Sequence, residues 1–126
     1  MGNVFITARW FLSPMSDVII RKKGESEKSI SLGDVSTRLL ASSGALEGLT
    51  VKMPPNSEIP KLYSHGGEEI RFMLKGEIEV EVEGDKYILK EGDMMWHEST
   101  APHRIRNPTD KSAVYFLVNV PPSIKW

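Results

Sequence analysis

The chain has 126 residues, the length of one globular domain that can bury a core without staples. It contains no cysteine, which excludes disulfides, thiolate metal ligands and cysteine nucleophiles and suits a reducing compartment. Its 16 basic and 17 acidic residues are dispersed, for a net charge of −1, so no phosphate-tracking face and no nucleic-acid partner are expected.

Residues 1–16 precede any regular pattern and read as an appended arm, with residues 17–126 forming the domain proper. Phe5, Trp10 and Phe11 make this arm too apolar to sit comfortably in water, so it is expected to pack on its own domain or on a second copy, giving a homodimer. Its short apolar run lacks a basic region ahead of it, unlike a secretory signal, and position 6 is Ile6 where myristoylation would want Ser or Thr. No stretch approaches the roughly 18–20 apolar residues of a membrane span. A cytoplasmic location with no membrane partner is the expectation. Arg21-Lys22-Lys23 is followed at once by Glu25 and Glu27 and reads as a solvated turn.

From there the apolar residues recur with period 2, the strand period. Asp34–Ala41 and Gly48–Met53 form a pair around Ser42-Ser43-Gly44. In Glu77–Glu83, Ile78, Val80 and Val82 share one face, and four glutamates share the other, as a solvated row or as counter-charge to lysines on a neighbouring strand. Gly84-Asp85 suits a two-residue hairpin turn leading into Lys86–Lys90. Met94–His97 follows the turn Glu91-Gly92-Asp93. The nearly continuous apolar run Ala113–Val120 suits a strand central in a sandwich, ended by Pro121-Pro122. No convincing helix is found. Short strands punctuated by Gly and Pro argue for an all-β sandwich or small barrel.

Two stretches carry chemistry. One is Tyr63-Ser64-His65-Gly66-Gly67-Glu68-Glu69-Ile70-Arg71, continuing to Gly76; the other runs from Gly92 through Trp96-His97 to Pro102-His103-Arg104 and Asn107. Two imidazoles and a carboxylate suit a borderline divalent metal and leave positions open to water and substrate. These stretches resemble the paired motifs of the cupin superfamily. His65, Glu69 and Gly76 fall on the first motif, and Gly92, His103 and Asn107 on the second. Tyr63 stands in place of a further metal histidine. The resemblance implies an all-β double-stranded β-helix (jelly-roll, cupin barrel). It also implies one divalent ion (Fe, Mn, Zn or Ni) held by His65, Glu69 and His103, as in the two-histidine, one-carboxylate site of phosphonate epoxidase-type cupins. His65-Gly-Gly-Glu-Glu69 and Pro102-His103-Arg104 also resemble the sensory cupin domains of helix-turn-helix repressors, although with only 16 residues ahead of the barrel no DNA reader is expected.

Beside a structural metalloprotein with a closed, inert site, two readings stand. One is a metal-dependent oxygenase, isomerase or lyase acting on a small organic molecule. The other is a sensor-type cupin that binds such a molecule without catalysis. Parity places Arg71 on the face of Glu69 and Met73, where its guanidinium would anchor an anionic group of the ligand. Tyr63 and Trp96 are further candidate substrate contacts. Trp96 and His97 cannot both face inward, and the cupin pattern does not use His97, so His97 is expected to be structural or exposed. Met73, Met94 and Met95 are expected to line the barrel with Trp96.

Overall fold

A computed structural model of the chain describes residues 18–59 and 66–126. The arm 1–16, and with it Tyr63 and His65, lies outside the described residues. Among those described, nine strands follow one another without a helix: β1 Lys28–Leu32, β2 Val35–Ser42, β3 Glu47–Met53, β4 Glu68–Lys75, β5 Glu77–Val82, β6 Asp85–Lys90, β7 Met94–Glu98, β8 His103–Arg106 and β9 Ala113–Val120. A six-stranded sheet in the order β1-β2-β3-β9-β4-β7 is accompanied by a three-stranded sheet β6-β5-β8, and together they form the double-stranded β-helix expected from the sequence. No described helix is long and apolar enough to cross a membrane.

The period-2 pattern sets what each sheet buries. Leu49, Val51 and Met53 on β3, Met73 on β4 and Tyr115 and Leu117 on β9 meet Ile78 and Val80 on β5, Leu89 on β6 and Ile105 on β8 in one core. β9 lies between β3 and β4, the central position its apolar run implied. On β5 the glutamates find the expected counter-charges, with Glu77 opposite Lys90 and Glu81 opposite both Lys86 and Arg104. Glu79 accepts from Arg106 Nε at 3.0 Å. The β5–β6 turn is Glu83-Gly84, both at positive φ (51° and 87°), rather than Gly84-Asp85. Asp85 is instead the first paired residue of β6, opposite Val82, because a hairpin turn that matches the strand twist needs positive φ at both central residues.

The outer face of the six-stranded sheet is unusually apolar. Ile70, Phe72 and Leu74 of β4, Met94 and Trp96 of β7 and Val120 of β9 are exposed there. Of the residues expected to line the barrel, Met73 and Met95 face inward, whereas Met94 and Trp96 face outward.

Where β4 begins, the backbones of three strands converge. Gly67 O accepts from Ser99 N at 2.8 Å. Gly67 has φ +103°, and a Cβ there would sit 2.0 Å from Val120 O. Gly92 has a similar φ of +90° with open space around it. The two glycines separate backbone strain from steric overlap. Gly92→Ala is expected to cost about 1–3 kcal/mol, the strain of a positive φ alone, and Gly67→Ala distinctly more. Urea unfolding of the two variants measures the difference, and equal losses would contradict the close approach.

Candidate metal and ligand site

β4 places Glu69, Arg71 and Met73 on its inner face by alternation alone, and all three are buried. Glu69 and Arg71 are each only 2% exposed. A carboxylate that deep must be paired or hydrogen-bonded, and Glu69 is both. Its Oε1 accepts from Arg71 Nη2 at 2.6 Å, and its Oε2 accepts from Ser99 Oγ at 2.9 Å. The sequence expectation that Arg71 turns inward therefore holds in geometry. The anion that answers its charge comes from within the chain.

Two imidazoles complete the cluster. β4 and β7 pair in a register that sets His97 directly opposite Glu69, and His103 enters from β8 on the facing sheet. His97 Nε2 is 3.5 Å from Glu69 Oε1, His103 Nε2 is 3.3 Å from Oε2, and the two ring centroids are 4.7 Å apart. Each ring is oriented through its other nitrogen. Nδ1 of His97 lies 2.9 Å from Glu98 O, and Nδ1 of His103 lies 2.9 Å from Ala101 O. A carbonyl only accepts, so Nδ1 carries the proton in both rings. Nε2 of His97 then accepts from Arg71 Nη1 at 3.2 Å, since a guanidinium only donates. Arg71 also stacks over Tyr115, its Cζ 5.3 Å from the ring centroid.

Burial pushes the Glu69 carboxyl upward, but Arg71, then His103, His97 and the Ser99 hydrogen bond, outweigh it, and the result lies below the ordinary 4.5. His103 is held below the ordinary 6.5, chiefly by burial, against the opposing pull of the Ala101 carbonyl and Glu69.

Fitness for a metal can be judged from the donors themselves. One ligand atom from each of Glu69, His97 and His103 lies within 4.8 Å of the others. Two donors bound tetrahedrally at about 2.0–2.2 Å stand about 3.3–3.5 Å apart, and His103 Nε2 and Glu69 Oε2 are separated by 3.3 Å. Imidazoles whose Nδ1–H is tied to a backbone carbonyl are the usual form of a metal ligand. The donor set fits a borderline divalent ion.

Glu69 and His103 of this cluster border a cavity of about 380 Å³, which His97 does not line. Glu69, Arg71, His103 and Asn119 border it, and Ile30, Leu32, Val51, Leu117 and Ile124 form an aliphatic wall. The volume is in the lower part of the range of small-molecule sites. The C-terminal residues 123–125 also border the cavity and are pinned by Glu47, whose Oε2 accepts from Ser123 N at 2.9 Å and Ile124 N at 3.1 Å.

Two sequence readings are corrected here. Trp96, expected as a substrate contact, is 51% exposed on the outer face, where Nε1 donates to Glu68 Oε1 at 2.9 Å. His97, expected to be structural or exposed, is buried beside Glu69, which removes the exposed alternative. One fact underlies both: alternation lets only one of the pair face inward, and the β4–β7 register selects the residue opposite Glu69. Asn107, a motif position, holds no ligand atom of the cluster. Its Nδ2 donates to the carbonyls of Met53, Pro54 and Lys111 and its Oδ1 accepts from Thr109, so it braces a turn. Sequence reasoning missed Asn119 and Glu47, which carry no motif signal. Only the inward parity of Asn119 within Ala113–Val120 could have marked it.

An all-β barrel of this topology, with two imidazoles and a carboxylate clustered inside it, has the architecture of a jelly-roll protein whose donor set fits a metal. The cupin domain family matches residues 49–119, and the chain belongs to that family. An uncharacterized protein of Archaeoglobus fulgidus is 36% identical over 62 residues, which are 49% of this chain and 58% of that relative. The fold is similar to a predicted oxalate decarboxylase from Thermotoga maritima (26% identity, TM-score 0.71, covering 83% of this chain and all of that one). It is also similar to an RmlC-like cupin from Shewanella frigidimarina (19% identity, TM-score 0.70, 80% and 89% covered). The cupin domain of an XRE-family transcriptional regulator from Enterobacter cloacae shares the fold as well (14% identity, TM-score 0.65, 72% and 100% covered).

Both shifted groups make the same demand on pH. Each has its folded value below its ordinary one, so its contribution is fully present above the ordinary value and is lost on acidification. Thermal midpoints are expected to be level above about pH 7, to fall first below the 6.5 of His103 and to fall again below the 4.5 of Glu69. Melting curves between pH 8 and pH 4 measure this, and a midpoint unchanged down to pH 5 would contradict the burial of a neutral His103.

Proposed function

We propose that this chain is a metal-holding cupin that binds a small organic molecule with an aliphatic or ring-like body in its barrel. The observation that carries the reading is that Glu69 and His103, two members of the Glu69–His97–His103 cluster, border a cavity with an aliphatic wall. In this reading Glu69 and His103 hold the ion together with His65, the donor expected from the motif. His97 has its Nε2 engaged by Arg71 and steadies that guanidinium. A bound divalent ion would supply Lewis acidity to a ligand oxygen. The chain's own residues would orient the ligand, exclude water and keep Glu69 ionised. Decarboxylation of oxalate, the activity predicted for the Thermotoga protein, suits this site poorly, because a dianion of that size would leave the aliphatic wall unfilled.

Elemental analysis of the full chain tests the reading. One divalent ion per chain is expected. His103→Ala and Glu69→Gln should lose most of it, and should also lose the thermal stabilisation that added metal gives by linkage. His97→Ala should retain more metal than His103→Ala. Full occupancy in His103→Ala would overturn the assignment.

We further infer that a second copy docks on the apolar outer face of the six-stranded sheet. Besides Ile70, Phe72, Met94 and Trp96, this face has unlike charges at its two ends. Lys52 and Lys75 both pair with Val114 at one end, and Glu68 and Glu98 oppose each other at the other. Two like charges directly across a strand pair disfavour the monomer surface. A copy related by a two-fold axis and laid antiparallel brings the lysine end over the glutamate end, the self-complementary arrangement such symmetry requires. Light scattering of the full chain should give the mass of a dimer, and Phe72→Glu that of a monomer. A full-length monomer at every concentration would overturn this.

A further inference from the structure

β9 stays in its sheet as far as Asn119 and Val120, which pair with Glu47 of β3 and Glu68 of β4. Beyond them Pro121 and Pro122 have no N–H to offer, and residues 121–126 belong to no strand. Every hydrogen bond that this segment makes among the described residues ends on one carboxylate. Glu47 Oε2 accepts from Ser123 N at 2.9 Å, Ile124 N at 3.1 Å and Ser123 Oγ at 3.5 Å. Its Oε1 accepts from Trp126 Nε1 at 3.1 Å.

Such an attachment fails as a unit. Glu47 is 1% exposed, and it also accepts from Asn119 Nδ2 at 2.8 Å. If one donor left while the others stayed, a buried carboxylate oxygen would lose a partner, which is costly. If all leave together, water takes their place. The remaining hold on the segment is apolar contact by Ile124 and Trp126, both only half-buried against the core. A segment without ladder hydrogen bonds and with little buried apolar surface opens at a lower free energy than the strands beside it. The same segment walls the cavity. Ser123, Ile124 and Lys125 border it together with Glu69 and His103, whereas Glu47 does not.

We propose that residues 121–126 form a strap that opens and closes over the cavity as one unit, with Glu47 as its latch. Glu47 is a positioning residue, acting on the ligand site through the wall residues it holds. A small molecule seated against the aliphatic wall binds the latched form better, because the open form lacks part of that wall. The molecule in turn holds the strap down, since such coupling is reciprocal. The inference rests on the cavity being a ligand site, as proposed above.

Hydrogen exchange of the full chain, followed by NMR, tests the latch. The protons on Ser123 N, Ile124 N and Trp126 Nε1 should share one protection factor, about tenfold or more below those of the Tyr115 and Leu117 amides in β9. Glu47→Gln should lower all three together. Trp126→Phe keeps a ring but removes one donor, and should lower protection of the Ser123 and Ile124 amides about threefold or more. Should Glu47→Gln fail to fold, the wild-type pattern and Trp126→Phe still decide. Protons that respond independently, or a strap that exchanges only together with β9, would overturn the inference.

Cyclohexanol, a neutral probe with a ring-like body, tests the coupling. Its Kd is read from the methyl shifts of Val51 and Leu117, which border the cavity. At ten times that Kd it should raise the protection of all three protons about tenfold, as for a ligand that binds the closed form alone. Methyl shifts without any gain in strap protection would overturn the strap and leave the cavity as a ligand site. Methyls that do not shift at all would overturn the ligand-site reading, and the strap's role with it.

Discussion

The polar end of this barrel is organised around one carboxylate that water does not reach. Glu69 is 2% exposed, and a charge there is tolerable only when every oxygen is answered. Arg71 and Ser99 donate to it, and two imidazoles face it from β7 and β8. Four strands are thereby tied to positions that the carboxylate dictates: β4 directly, β7 and β8 through the histidines, and β9 through Tyr115 beneath the guanidinium. The same arrangement gives the cluster a donor set that fits a metal. Backbone carbonyls hold each Nδ1, leaving Nε2 directed at the acid. Ion pair and donor set are one structure.

A second buried carboxylate, Glu47, does for the chain's end what Glu69 does for the site. It gathers donors from Asn119, Ser123, Ile124 and Trp126, and so fastens the C-terminal residues along the cavity. Asn119 joins the two systems: its nitrogen belongs to the Glu47 network, and its backbone on β9 is paired with Glu69. The aliphatic wall between them lowers the local polarity and strengthens each polar contact made inside. Selectivity in such a site comes from a few fixed donors and acceptors, while the wall supplies most of the buried area.

The two faces of the six-stranded sheet divide the work. Inward residues build the core and the site, whereas outward residues on β4, β7 and β9 form an apolar surface that the three-stranded sheet, with its glutamates and basic partners, does not share. A single strand such as β4 serves both, with Glu69 and Arg71 turned in and Ile70 and Phe72 turned out. A one-residue slip in its register would exchange these sets and destroy both functions at once. The glycine contact at Gly67 and the backbone bonds beside it hold that register.

Much of this was legible in the sequence. Period-2 alternation marked β2, β3, β5, β6, β7 and β9 nearly in place, because a half-buried strand must alternate whatever it pairs with. The inward set Glu69, Arg71 and Met73 followed from the same rule. The motif spacing implied that Glu69 and His103 meet, and their side chains lie 3.3 Å apart. What alternation cannot say is which of two opposite faces looks inward when both carry a plausible side chain. Trp96 and His97 were such a case, and the pairing of β4 with β7 decided it by setting His97 opposite Glu69. Nor does a sequence say what a buried charge will meet. Arg71 finds its counter-charge two residues away on its own strand, and Asn119 is locked by a carboxylate 72 positions earlier. Local sequence fixes periodicity and residue type, but partners are chosen by strand register between distant segments, and that exists only in the folded chain.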